Sequence, residues 1–351
     1  MSTELKVVGG TSCDVAVLGA GYAGLMAAPR LARGSGGRRR IVLISERQCF
    51  LERVRLQESI VGDVVPRFPP FREFLARSPI VFIQGRIASL DAARRRILVV
   101  NGRAQQEIAF DEAVYALGSG IDVATVPGVH EHAYRLEPGD GSRFVTVLRQ
   151  LLKMRGGQPT RVAVVGGAET GVEVATEIKT AWPGAEVMLV SRSRCGEFKG
   201  PRVERAVRAG LARLGVVMID RTTVTEVRQD AMIADGGRSI VCDICIWSGG
   251  LRAPDIAKRA GLHVDGQDRV LVDGQLRSPF AHSGRRRCCS PARSHWSALS
   301  PVSIHGAFFR RIRCRRDQEG REGTVPPVRL LDIRPGHCAG EKWRRLLQLP
   351  Q

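Results

Sequence analysis

The chain has 351 residues, of which 43% are hydrophobic, 25% charged and only 5% aromatic. This is enough apolar material for two domains with cores of their own, and no apolar run approaches the ~18–20 residues of a membrane span, so a disordered protein, a small disulfide scaffold and an integral membrane protein are excluded. The formal net charge of +19 invites a nucleic-acid reading, but it is uneven: residues 281–351 carry 15 Lys and Arg against 5 Asp and Glu, about half of the excess.

The first strand is expected near Cys13, which leaves no room for the charged head and ~7–15-residue apolar core of a cleaved signal peptide; the expected compartment is the cytoplasm. Residues 14–18 (DVAVL) form a β-branched run ending in Gly19-Ala20-Gly21-Tyr22-Ala23-Gly24, followed by a helical stretch over 25–33 and a second strand over 41–45 (IVLIS). A strand, a glycine turn, a helix and a strand within about 35 residues is the arrangement of a dinucleotide fold. Residues 79–118 then read as short strands joined by polar turns and closing in Tyr115-Ala116-Leu117-Gly118-Ser119.

The pattern repeats. Residues 161–165 (RVAVV) lead into Gly166-Gly167-Ala168-Glu169-Thr170-Gly171, a helix over 172–181 and a strand over 186–190, and the segment 243–250 (DICIWSGG) matches the earlier closing strand. Two such units in one chain imply two nucleotides. After about Pro279 the periodicity is lost: SGRRRCCSPARSHW and RRIRCRRDQEGREG fit neither a helix stripe nor a strand alternation.

In the first turn, Gly19 permits the tight bend, Gly21 lets the backbone approach a pyrophosphate and Gly24 lets helix pack on strand. Ala20 and Ala23 complete the turn, and the helix N-terminus supplies amide donors and a positive dipole end. Glu46, 22 residues after Gly24, is the candidate for the ribose hydroxyls. Pro29 falls inside the helix, where it removes a backbone bond at a cost of roughly 3 kcal/mol or kinks the helix. In the second turn, Gly166, Gly167 and Gly171 are the corresponding residues, with Ala168 where a middle glycine would give closest approach to phosphate. The second strand is followed by Ser191-Arg192-Ser193-Arg194 without a carboxylate; arginine there, Arg192 first, suits a 2′-phosphate and favours NADPH over NADH.

Cys242 and Cys245 have C-x-x-C spacing, but in a strand residues i and i+3 face opposite ways, whereas redox pairs of this spacing sit at a helix N-terminus; they read as buried structural thiols. Cys49 stands alone where a dithiol enzyme would carry a pair. No zinc spacing occurs, so no metal is expected.

The two glycine turns 147 residues apart, the segments 115–119 (YALGS), 126–129 (VPGV) and 246–254 (IWSGGLRAP), and residues 50–56 (FLERVRL) give the chain a resemblance to a known family. It resembles the two-dinucleotide-binding flavoproteins that include the pyridine nucleotide-disulfide oxidoreductases and type II NADH dehydrogenases. The resemblance covers residues 13–279. It implies an α/β chain of two Rossmann-like domains of three-layer ββα form: an FAD domain of residues 1–125 and 240–279 into which an NAD(P)H domain of residues 126–239 is inserted. Residues 280–351, without periodicity, remain outside it as an irregular basic tail. It further implies FAD in the first unit with Ala116 and Gly118 against it, and NAD(P)H in the second with Glu173 near the nicotinamide. The implied activity passes a hydride from NAD(P)H to FAD, and electrons then to a small acceptor such as a quinone, with association to the inner membrane face in intact relatives. No general acid or base is assigned.

The family also implies a strand ending in a Gly-Asp pair that contacts FAD, followed by a C-terminal domain. Neither is written in the tail. Residues 284–290 (GRRRCCS), back-translated with GC-rich codons and read one base later, yield Val-Gly-Asp-Ala-Ala-Ala-His, and two further tail segments give family-like sense at the same offset. A frameshift near Pro279 is therefore expected, and with it a catalytically defective product as an alternative to an active enzyme. A nucleic-acid-binding protein using the tail is a third reading. The tail lacks a recognisable binding motif and supports only non-specific phosphate attraction, so no specific nucleic-acid partner is expected.

Overall fold

The computed structural model describes residues 7–60, 70–76, 78–137, 140–154, 158–197, 200–273 and 276–278. The expectations for the tail, 280–351, lie outside the described residues. Two compact units are present, the first formed by described residues within 7–54, 70–122 and 251–278, the second by 55–60 and 123–250.

In the first unit, β1 (Val7–Leu18) leads into α1 (Tyr22–Gly34) and β2 (Ile41–Ser45). Then come the short α2 (Phe71–Leu75), β3 (Ile80–Gln84), β4 (Arg86–Asp91), β5 (Arg96–Asn101), β6 (Ala104–Tyr115) and β7 (Gly120–Ile121). The six-stranded sheet runs β3-β2-β1-β6-β5-β4, parallel from β3 to β6 and antiparallel through the β4–β5–β6 meander. The carboxyl half of the central strand, Val15–Leu18, is buried on both faces, as its unbroken apolar run requires. Its alternating side chains serve two cores: Val15 and Val17 pack with Ala28 and Ala32 of α1, while Cys13, Ala16 and Leu18 pack with the meander.

The second unit carries α3 (Val129–His132), β8 (Ala133–Arg135), α4 (Asp140–Met154), β9 (Arg161–Val165), α5 (Glu169–Ala181), β10 (Glu186–Val190), α6 (Pro201–Leu214) and β11 (Val217–Ile219). A three-stranded antiparallel sheet of β12 (Val224–Val227), β13 (Ala231–Ala234) and β14 (Ser239–Val241) follows, then β15 (Ile244–Trp247). The main sheet, β11-β10-β9-β15-β8, is parallel throughout. Its core gathers Val162, Val164, Val172, Ile178, Leu189 and Ile246, joined by Ile60 from the 3-10 helix Arg53–Ile60. The chain returns to the first unit through β16 (Leu251–Arg252), paired with β7, and α7 (Ile256–Arg259), whose Ile256 packs on the meander core.

One boundary differs from expectation. Residues 240–250 were assigned by sequence to the returning part of the first domain, yet β15 is an inner strand of the second sheet, paired to β9 on one side and β8 on the other. The reason is its burial: all four residues of β15 are buried, with Ile244 and Ile246 turned to the α4–α5 side and the Cys245 Sγ 3.7 Å from Met232 Sδ under the three-stranded sheet.

Pro29 does not break α1, which runs unbroken from Tyr22 to Gly34. Cys242 and Cys245 are both buried and unbridged.

Candidate functional site

Both glycine turns join the carboxyl end of an inner parallel strand to a helix N-terminus, the place where open α/β sheets bind ligands. In the first, Gly19 has φ +100°, and a Cβ built on it would lie 2.5 Å from the carbonyl oxygen of Ala116. A Cβ on Gly24 would overlap the Gly19 carbonyl. Both glycines are thus demanded by the protein's own packing. Ala116 is held there by its N–H, which donates to Leu18 O at 2.9 Å, so the closing segment at 115–119 abuts the turn; Gly118 follows at φ +71° in open space.

Gly21 is different. It is the N-cap of α1 with φ −78°, a conformation open to any residue, and a Cβ on it would meet no protein atom within 4 Å. Among the described residues nothing requires a glycine there, and the first amides of α1, which have no partner within the helix, begin beside it. The bare backbone suits a bulky anion at close range and fits a dinucleotide pyrophosphate. Ala20 is buried and Ala23 half-buried behind the turn, while Glu46 stands exposed one residue past β2, beside the end of β1. Two residues further, Gln48 helps to line a cavity of about 170 Å³ with Pro70, Arg72, Phe82 and Gln84.

The second turn repeats the geometry. Gly166 has φ +124°, and a Cβ on Gly171 would overlap the Gly166 carbonyl. Ser248, just past β15, donates its Oγ–H to Val165 O at 2.8 Å and lies against both glycines. The N-cap of α5 is Ala168, exposed, with φ −85°. Gly167 is glycine because Ser191 crowds it and Cys195 Cα would lie 3.2 Å from its Cβ; Gly196 N–H donates to Gly167 O at 3.0 Å. The loop after β10 is thereby tied to the turn, which brings Arg192 to its side. Glu173 is half-buried on the first turns of α5.

That loop is fixed from below by Asp220. Burial alone would raise the Asp220 pKa, but the N–H of Cys195 at 2.8 Å and the Arg208 guanidinium outweigh it and hold the carboxyl below its ordinary range. Burial, with help from Asp220, pushes the Cys195 thiol up to about 12. Cys13 and Cys242 are raised by burial to about 11 and Cys245 further, so these thiols stay neutral and inert. Among the described residues no cluster of His, Cys, Asp and Glu could hold a metal ion.

Sequence reasoning missed Ser248, whose only signal is a small residue after a buried strand. It also missed Tyr22, edge-on against Phe50 at 4.8 Å, its hydroxyl buried and without a hydrogen-bond partner among the described residues.

Two strand–glycine–helix units of the same geometry within one chain agree with the family model that matches residues 13–282, pyridine nucleotide-disulphide oxidoreductase. The chain belongs to this family. Members bind FAD and NAD(P)H. Demethylphylloquinone reductase NdbB of Synechocystis is 24% identical over 75% of this chain and 68% of its own length. The NADH dehydrogenase-like protein YutJ of Bacillus subtilis is 25% identical over 54% of this chain and 51% of its own. Among solved structures, NDH2 of Plasmodium falciparum in complex with NADH shares the fold at TM-score 0.64 and 15% identity, over 74% of this chain and 59% of that one. The chain thus spans between about half and two thirds of the length of these proteins. No helix among the described residues is long and apolar enough to cross a membrane.

Proposed function

We propose that the chain is an FAD-dependent NAD(P)H oxidoreductase of the NADH dehydrogenase type, with FAD in the first unit, NADPH preferred in the second and a quinone as electron acceptor. The observation that carries it is the reserved space at Gly21: a glycine that the protein's packing does not need, at a helix N-terminus, in the first of two matching turns. The first-unit residues for FAD are Gly19, Ala20, Gly21, Ala23, Gly24, Ala116 and Gly118, with Glu46 on the ribose; those for the nicotinamide nucleotide are Gly166, Gly167, Gly171, Glu173 and Arg192.

The bound cofactors supply hydride transfer and onward electron transfer. The protein's part is placement. The α1 and α5 N-termini direct amides at phosphate, Glu46 accepts hydrogen bonds from hydroxyls, and Arg192, exposed and with no partner among the described residues, offers a cation beside the turn. The quinone acceptor draws on the name of the Synechocystis relative, and a membrane-surface location would follow from so apolar an acceptor.

The test is a titration of the purified full chain with FAD, then NADPH and NADH oxidation with a soluble quinone. Expected are a yellow one-to-one complex and faster NADPH turnover, with Arg192→Glu reversing the preference for NADPH. A chain that takes up no FAD refutes the proposal. A second reading is favoured by the loss of periodicity after Pro279 together with the family match ending at residue 282: a frame-altered product with an incomplete flavin site. Under it the 351-residue form purifies with substoichiometric FAD and turns over poorly, while a version with the frame restored near codon 279 is yellow and active.

A further inference from the structure

The loop that carries Arg192 carries a second arginine in a different state. Arg194 donates from Nε to Glu204 Oε1 at 2.5 Å. Glu204 stands in the first turn of α6, and its side chain is 15% exposed against 45% for Arg194, so the carboxylate is the better anchored partner. The other nearby carboxylates are engaged. Glu197 accepts the backbone N–H of Arg194 at 3.2 Å, and Asp220 accepts from Cys195 and Arg208. The Gly196 N–H to Gly167 O bond fastens the loop to the second nucleotide turn, and Ser191 packs against Gly167, so Arg192 and Arg194 sit on a segment tied to that turn.

We propose that Glu204 sets the selectivity of the second unit between phosphorylated and unphosphorylated nicotinamide nucleotides, by holding Arg194 out of the 2′-phosphate site. The inference rests on the reading of this unit as a nicotinamide-nucleotide site and names the residue that tunes it. A 2′-phosphate is a dianion for which two guanidinium groups are better than one. Glu204 acts against it twice, by engaging Arg194 through Nε and so fixing the guanidinium on α6, and by setting a negative charge near the incoming phosphate. A nucleotide with a free 2′-hydroxyl places no charge there and is indifferent to Glu204. The chain therefore has Arg192 available and Arg194 in reserve, a site that prefers the 2′-phosphate by less than its two arginines would allow.

The experiment uses the full chain and two fragments that need no flavin, 2′,5′-ADP and ADP, titrated by calorimetry. Glu204→Gln is expected to tighten 2′,5′-ADP by about three- to tenfold, with ADP changed less than about twofold; the unchanged ADP affinity also reports a folded site. In the double variant R194A/E204Q the gain disappears, since the released guanidinium is gone. Equal effects on both probes, no effect on either, or a gain that survives in R194A/E204Q would overturn the proposal. R192A and the wild type separate the two levels. If R192A weakens 2′,5′-ADP while E204Q does nothing, the role of Glu204 falls alone; if the wild type binds neither probe, the nucleotide reading falls and takes this inference with it.

Discussion

Asp243, the residue before β15, grips the first residue of β9: its Oδ2 accepts the Arg161 backbone N–H at 2.7 Å, and its Oδ1 faces Arg161 Nη2 at 3.1 Å. The N–H of Asp243 in turn donates to the Arg161 carbonyl at 2.9 Å, so β9 and β15 start in fixed register. The carboxylate is only 9% exposed. Asp243→Ala leaves a backbone donor at the edge of the core without its acceptor, and a loss of about 1–3 kcal/mol is expected in urea unfolding of the chain. An unchanged midpoint would show that water takes over the bond.

The first turn allows stability and binding to be separated. Gly24→Ala and Gly171→Ala force a methyl into a neighbouring carbonyl, and each should cost about 1–3 kcal/mol. Gly21→Ala meets no atom of the described residues and should cost less than about 1 kcal/mol, the difference between glycine and alanine at an N-cap, while weakening FAD binding by at least about tenfold, roughly one charge-assisted hydrogen bond to phosphate. If Gly21→Ala melts as early as Gly24→Ala, the space at Gly21 is not reserved for a ligand.

Pro29 leaves the Leu25 carbonyl without its helical donor, yet α1 continues for five residues beyond it. The helix is held by packing on β1, with Ala28 and Ala32 fully or nearly buried, rather than by its own propensity. Pro29→Ala restores the bond and should stabilise the protein by about 1–3 kcal/mol, read from the shift in denaturant midpoint.

The buried thiols predict behaviour at high pH. Cys13 and Cys242 at about 11 and Cys195 at about 12 are raised by burial from an unfolded value of 9.0. The fold binds these protons more tightly than the unfolded chain, so their contribution is complete below pH 9 and is lost as pH climbs toward 11 to 12. Stability should fall across that window, and less steeply in Cys195→Ala. At pH 8 iodoacetamide should modify Cys49 first among the five cysteines of the described residues, because the other four are buried; early labelling of Cys195 would contradict this.

The strands at 41–45, 161–165 and 186–190 were readable to the residue because each is four consecutive apolar residues with one polar residue at an end, the mark of a strand covered on both faces. The glycine turns were readable because their reasons are local. What was not readable is set by partners far along the chain. Whether Ile244–Trp247 closes the first sheet or the second depends on pairing with Arg161–Val165 and Ala133–Arg135, more than 80 and 100 residues away. Likewise, Arg192 and Arg194 look alike in sequence. They differ only because α6 brings Glu204 to one of them.

The ribbon of β7 and β16 has its own consequence. Ile121 is registered opposite Leu251 and Gly120 opposite Arg252, and Arg252 is fastened to Asp122 at 3.1 Å and to Asp268 at 3.0 Å. The polypeptide therefore leaves the first unit and re-enters it at neighbouring strands, so that everything between is topologically a very long hairpin loop. A two-residue turn joining Ile121 to Leu251 would close the same ribbon, and the first unit should then survive as a minimal flavin-binding module. In the same way, residues 123–250, which carry all of the second unit but the Ile60 segment, occupy a gap into which a foreign nucleotide-binding unit with adjacent termini could be spliced without re-registering a single strand of the host sheet.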